Sequence, residues 1–184
     1  MRKFAGGVVL GLLIIPVVAV FAFFQGWVSV SATSAPPRWE SFLARKGFAA
    51  SVARQARRLR NPISPTSANL MFSMKFYRND CAGCHGDAGK PSQWGISDFY
   101  PRVPQFDSEA SLKPDWQMFW IVKHGVRYTG MGAWDALTPD DNIWKTVTFL
   151  SHLKDLPPDV EAAWRGAPAA KSKFRFAIFC EVQR

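Results

Sequence analysis

This 184-residue chain has only three cysteines and three histidines, the thiol and imidazole groups that a structural metal site usually draws on. That scarcity is restrictive. A structural zinc site needs four protein ligands, usually as two clusters. Cys81, Cys84 and His85 form one cluster, but Cys180, His124 and His152 stand alone, so the second half-site is missing. Alternating strand patterns are also absent. A thioredoxin-like dithiol sits at a strand-to-helix junction, and here a helical pattern precedes Cys81. Charge is missing as well between Lys3 and Arg38, and no internal repeat is present.

The uncharged stretch contains "FAGGVVLGLLIIPVVAVFAFF", residues 4–24. Such a run crosses a hydrocarbon core of roughly 30 Å as a helix at about 1.5 Å per residue. Pro16 is tolerated in membrane helices. The run exceeds a signal-peptide core, which spans about 7–15 residues, although "VSA" at 30–32 resembles a cleavage site. Cleaved or not, Arg2 and Lys3 stay cytoplasmic, and the rest is exported. The expected topology is a membrane crossed once, with the folded domain on the exported side. Trp27 sits where an interfacial aromatic would.

The net charge of +9 lies in the flanks. Residues 38–60 carry seven Lys and Arg against Glu40, whereas residues 61–160 are close to neutral. A nucleic-acid reader would place its basic patch on the folded domain, so no nucleic-acid partner is expected. Four segments follow: 1–30 an anchor, 31–65 a linker with a basic amphipathic helix, 66–156 a folded domain, and 157–184 a tail. In residues 38–60 the spacing sets Trp39, Phe42, Leu43, Val52, Ala53, Ala56 and Leu59 largely on one stripe. That pattern suits lipid headgroups, or rest against the domain or a partner.

Within the domain, a helix begins near Thr66 or Ser67, either able to cap it, and runs into the cysteines. Residues 86–114 read as loop. Residues 115–123 make a short helix. In "TPDDNIWKTVTFLSHL", Thr138 is the expected N-cap and Pro139 the first helical residue. There Ile143, Trp144, Val147, Leu150 and Leu153 form one apolar stripe.

"NDCAGCHGD" (79–87) carries the chemistry. Cysteines three apart are neighbours on a turn, and each can form a thioether to a haem vinyl group, while the next histidine reaches the iron. Export agrees, because haem of this type is attached outside the cytoplasm. The iron's other axial position has four candidates. Met118 suits a core role, His152 a helix-end role, and His124 follows a helix end. Met131, in the irregular "YTGMGAW", is the favoured ligand, with His124 or an open position as alternatives.

These stretches, "YRNDCAGCHGDAG" (77–89), "HGVRYTGMGAW" (124–134) and "LTPDDNIWKTVTFLSHL" (137–153), together resemble the class I cytochrome c superfamily, in its membrane-anchored bacterial mono-haem branch. The resemblance spans Thr66 to Leu156. It implies an all-α fold of about three to four helices around one covalent haem c, with the first and last helices crossing. It implies Tyr77 against the Trp144 face, Ser73 in a position usually held by Gly, His85 as proximal ligand and Met131 as distal. Pro101 or Pro104 would orient His85. Gly132 replaces the Pro common after the axial Met, which leaves that loop less rigid.

A six-coordinate haem lacks an open site, so electron transfer is expected rather than catalysis, with no small-molecule substrate. The expected partners are a quinol-oxidising complex or dehydrogenase as donor and an oxidase, reductase or soluble cytochrome as acceptor. A rival is a haem subunit of a larger respiratory complex, docked through residues 38–60 and "KFRFAIFC" (173–180). An open-site haem enzyme or sensor is a third reading. Cys180 is expected to stay outside the haem site.

Overall fold

A computed structural model of the chain describes residues 2–107 and 113–166, with side chains from residue 11 onward. The segment 173–180 and Cys180 lie outside the described residues. Among those, every regular element is helical: α1 (Arg2–Phe24), α2 (Arg38–Gln55), α3 (Ser67–Asp80), α4 (Ala82–His85), α5 (Gln93–Ser97), α6 (Asp115–His124), α7 (Asp140–Ser151) and α8 (Pro158–Gly166). The all-α expectation holds.

Thr66 caps α3, its hydroxyl accepting from the Asn69 N–H at 3.3 Å. This helix crosses α7, and the two supply the centre of the core. Leu70, Met74 and Tyr77 from α3 meet Ile143, Val147, Phe149 and Leu150 from α7, all buried. Burying such side chains stabilises by about 1.5–3 kcal/mol each. The apolar stripe expected on α7 is buried in full, with Leu153 just past its end.

One detail of the crossing differs from expectation. Tyr77 packs on Phe149, with ring centroids 5.6 Å apart, while Trp144 stacks instead on Phe119 of α6 at 4.0 Å. Trp144 projects to the α6 side of α7, away from the crossing. Ser73 is fully buried, and its hydroxyl donates to the Asn69 carbonyl of its own helix at 2.8 Å. Serine therefore fits the tight position because its one polar group is satisfied locally. At α7 the cap also moves by one residue. Pro139 is the N-cap, and Thr138 Oγ1 accepts from the Asn142 side chain instead, since Pro139 holds an extended ψ of 150°.

Residues 158–166, left in the tail by the sequence reading, form α8 and belong to the core. Val160 and Trp164 are buried, and Trp164 meets Phe149 edge-on at 5.4 Å. The Trp164 indole N–H donates to Asp87 Oδ1 at 2.8 Å. Asp87 also accepts the Ala88 N–H on Oδ1, and Arg78 Nε and Nη2 on Oδ2 at 3.0 and 2.8 Å. One carboxylate thus ties α3, the loop after α4, and α8 together.

α2 corrects the single-stripe expectation. Val52 and the following Ala56 are buried, Ser41 bonds to the Tyr100 hydroxyl at 2.7 Å, and the Phe48 ring lies under Lys113. Trp39, Phe42 and Leu43, assigned to the same stripe, are exposed. At 100° per residue, positions 41, 48 and 52 fall on one side and 39, 43, 46 and 50 on the other. The helix is apolar on both sides, and only one is covered.

The helix α1 packs against no other element among the described residues. Its apolar side chains stand open, Leu13 at 61% and Phe24 at 80% exposure. Among the described residues no helix is long and apolar enough to cross a membrane.

Burial pushes the Asp87 carboxyl up, but the Ala88 N–H, the Trp164 indole and Arg78 outweigh it, and the group lies below its ordinary 3.8. Its stabilisation is therefore complete above the unfolded value and is lost as pH falls through the lower folded one. Trp164→Phe should cost about 1.5–3 kcal/mol. It should also flatten the loss of stability below about pH 4. Urea denaturation of both proteins across that acid range measures the two effects.

Candidate haem-attachment site

Cys81 closes α3, and the four residues of α4 complete one further turn. The Cys84 and His85 N–H groups both donate to the Cys81 carbonyl, at 3.1 and 3.0 Å. Both thiols are free and half-buried. Burial, then the Asp80 and Cys84 charges, push the Cys81 thiol up to about 12, and burial raises Cys84 as well. Dithiol exchange requires an accessible thiolate. This turn disfavours one, and no strand leads into it. Nor do the described residues contain any group of three or more His, Cys, Asp or Glu that could hold a metal ion.

His85 is fixed from the segment after α5. Its Nδ1 lies 2.8 Å from the Pro104 carbonyl, so of the two prolines considered, Pro104 orients it. A carbonyl only accepts, hence Nδ1 carries the proton. Burial lowers the imidazole's pKa, and the Pro104 bond only partly opposes this. The ring is neutral near pH 7 with its Nε2 lone pair free, the form that binds a metal.

The neighbours of Pro104 extend the grip. The Phe106 N–H donates to the His85 carbonyl at 2.7 Å, and the Phe106 ring stacks on the imidazole at 5.2 Å and 15°. Gln105 Nε2 donates to the Cys84 carbonyl at 3.0 Å, while its Oε1 accepts the Ser92 N–H. From α3, the Tyr77 hydroxyl donates to the Gly86 carbonyl at 2.7 Å and to that of His85 at 3.2 Å. Burial drives the Tyr77 phenol well above its ordinary value, which keeps it a donor. Gly95 of α5 lies so close that a Cβ there would collide with the Cys84 carbonyl oxygen. Gln105, Phe106 and Gly95 carried no signal in the sequence, because residues 86–114 show no periodicity and their partners are distant in the chain.

Among the other axial candidates, Met118 is buried in the core. His152 Nδ1 donates to the Thr148 carbonyl at the end of α7, the helix-end role expected of it. His124 ends α6, exposed and tilted against Trp120. Met131 lies half-buried in a loop outside any helix. The Val126 N–H donates to its carbonyl at 2.9 Å, and its own N–H donates to Thr129 Oγ1 at 3.1 Å. The loop then folds back on α6, with the Trp134 and Asp135 N–H groups donating to the Lys123 carbonyl at 3.1 Å. Lys123 Nζ reaches Asp140 at 2.8 Å and so joins that helix end to the start of α7.

Two thiols on one turn, a neutral imidazole with one nitrogen committed to the protein, and a thioether in a structured loop fit a haem held covalently. The fold and the turn define the class: an all-helical domain bearing a covalent-haem motif. Residues 73–150 match the family model described as cytochrome c oxidase, cbb3-type, subunit III, so that stretch is similar to the class I c-type cytochromes. No curated protein and no solved structure matches. The family implies haem c and a part in haem-based electron transfer.

Gly125 and Gly132 test the methionine loop. Gly125 has φ 66° and ψ −170°, and a Cβ there would lie 2.7 Å from the Met131 oxygen, Gly132 carbon and Ala133 nitrogen. Gly125→Ala should destabilise by about 1–3 kcal/mol and disturb the loop. A Cβ at Gly132 meets nothing within 4 Å. Gly132→Ala should stabilise by about 0.4–1 kcal/mol, acting through the unfolded chain. Thermal unfolding, with the oxidised absorption spectrum as a second readout, checks both.

Proposed function

We propose that the chain carries one haem c and acts as a membrane-tethered one-electron carrier on the periplasmic face of a bacterial inner membrane. Cys81 and Cys84 form the thioethers, His85 Nε2 is the proximal ligand and Met131 Sδ the distal one. The observation that carries this reading is the His85 bond to the Pro104 carbonyl, which leaves one nitrogen, deprotonated and oriented, for iron. The bound haem would supply a one-electron couple whose potential methionine ligation raises. The chain's own residues hold the imidazole still, keep its proton on Nδ1 and directed at the Pro104 carbonyl, and shield the attachment turn with Phe106 and Tyr77. Methionine ligation would fill the iron's sixth position, which puts the carrier role ahead of the open-site one.

The tether is supported by α1. Its 23 residues span about 34 Å as a helix, and the sequence from 4 to 24 is uncharged. The fourteen residues 11–24, whose side chains are described, would span only about 21 Å alone. Export follows from Arg2 and Lys3 preceding the run. Donor and acceptor would be membrane-bound respiratory proteins. The family description favours a second reading, a haem subunit of an oxidase complex.

Expressed with a periplasmic haem-attachment system, the chain should fractionate with membranes and show one haem per polypeptide by haemochrome assay. The oxidised protein should show a methionine-to-iron charge-transfer band near the red end of the visible spectrum. Met131→Ala should abolish that band while covalent haem persists. A wild-type protein without the band would overturn the distal assignment and favour the open-site reading. Purification in mild detergent separates the other two: a stoichiometric complex supports the subunit, a monomer the carrier.

A further inference from the structure

We infer that the uncovered side of α2 is a docking surface for anionic lipid headgroups, which lays the haem domain against the membrane. This inference rests on the tethered reading above. On the covered side, Ser41, Phe48 and Val52 face the domain. The other side exposes Trp39 (66%), Phe42 (53%) and Leu43 (59%), a cost that a solvated helix has no reason to bear. Lys46 and Arg54 share this side, and Arg38 and Arg45 lie at its edge toward the domain, against the single acid Glu40. Lys46 Nζ lies 5.8 Å above the Phe42 ring. Pro36, Arg38, Trp39, Ser41, Phe42 and Arg45 line an open hollow at the start of the helix, which brings two arginines and two aromatic residues together. A guanidinium fork matches a phosphodiester, and an aromatic beside it suits the headgroup level of a bilayer.

Position in the chain selects lipid over a protein partner. Thirteen residues separate Phe24 from Arg38. Fully extended they reach about 45 Å, so α2 never leaves the neighbourhood of a bilayer that holds α1. Pro36 and Pro37 shorten and stiffen that reach. An anionic surface attracts juxtamembrane cations within a Debye length, about 8 Å at physiological salt. The charge, the apolar side chains and the tether therefore point at the same occupant.

The full-length holoprotein, reconstituted in lipid nanodiscs, tests this. One set of discs contains phosphatidylcholine alone and the other adds phosphatidylglycerol. Brief trypsin treatment reads cleavage after Arg45 and Lys46. Cleavage should slow about tenfold or more in the anionic discs, and high salt should reverse the protection. The variant Arg38→Glu/Arg54→Glu keeps both cleavage sites. It should lose the protection while its absorption spectrum stays that of the wild type. Equal cleavage in both discs, with the protein co-eluting with them, would overturn this inference alone. Failure to co-elute would overturn the tether and the inference with it. Protection that follows protein loading rather than lipid charge would identify a second copy of the chain as the occupant, which also overturns it.

Discussion

The bond from His85 Nδ1 to the Pro104 carbonyl is the constraint on which the candidate site depends. It settles the tautomer, fixes which nitrogen faces outward and sets the plane of the ring. A histidine inside a short turn would otherwise sample several rotamers, and each would present a different atom. The surrounding contacts make sense as supports for that bond. Gln105 and Phe106 place the Pro104 carbonyl by gripping the backbone of the residues it serves. Gly95 lets α5 come close enough for that grip. Tyr77 anchors the far side of the turn to α3, and through the α3–α7 crossing the turn is rooted in the core. Core packing and ligand geometry are thus one mechanical system.

Asp87 extends that system to α8. An ion pair as buried as Arg78–Asp87 gains little net energy over an apolar substitute, since both charges lose water. Its value here is positional. The carboxylate has four oxygen lone pairs, and it spends them on three different segments of chain. An apolar side chain would fill the volume but specify no such junction. The loop after the histidine is thereby held from α3 and from α8 at once.

What was legible in the sequence follows from how local the cause is. The attachment turn, the cap at Thr66 and the buried stripe on α7 are set by residues within one or two turns of each other. α8 was missed because nine residues, several of them polar, show little until Phe149 and Asp87 are brought against Val160 and Trp164 from far away in the chain. The grip on His85 was invisible for the same reason. Two prolines offered a carbonyl, and only the folded loop chose Pro104. In α2 the error had another source. Assigning Trp39, Phe42 and Leu43 to the stripe of Val52 assumed that apolar residues on a helix share one environment. A helix that is apolar on two sides and covered by protein on only one breaks that assumption.

The two axial candidates are held in different ways, and the difference bears on electron transfer. His85 is gripped through its ring, its carbonyl and its turn. Met131 is held by backbone hydrogen bonds, to Val126 and Thr129, in a loop pinned to the end of α6 by Trp134 and Asp135. An electron carrier gains from ligands that stay put when the charge on the metal changes, because atoms that need not move add nothing to the barrier. On the proposed assignment the imidazole meets that need by direct restraint. The methionine must meet it through loop stiffness, and Gly132 supplies less of that than a proline would. Gly125, held at a positive φ with no room for a Cβ, offsets part of the deficit by fixing where the loop leaves α6 and where it returns. Variation in ligand strength within this chain should therefore arise on the Met131 side, where the backbone between Gly125 and Trp134 sets the position of the sulfur.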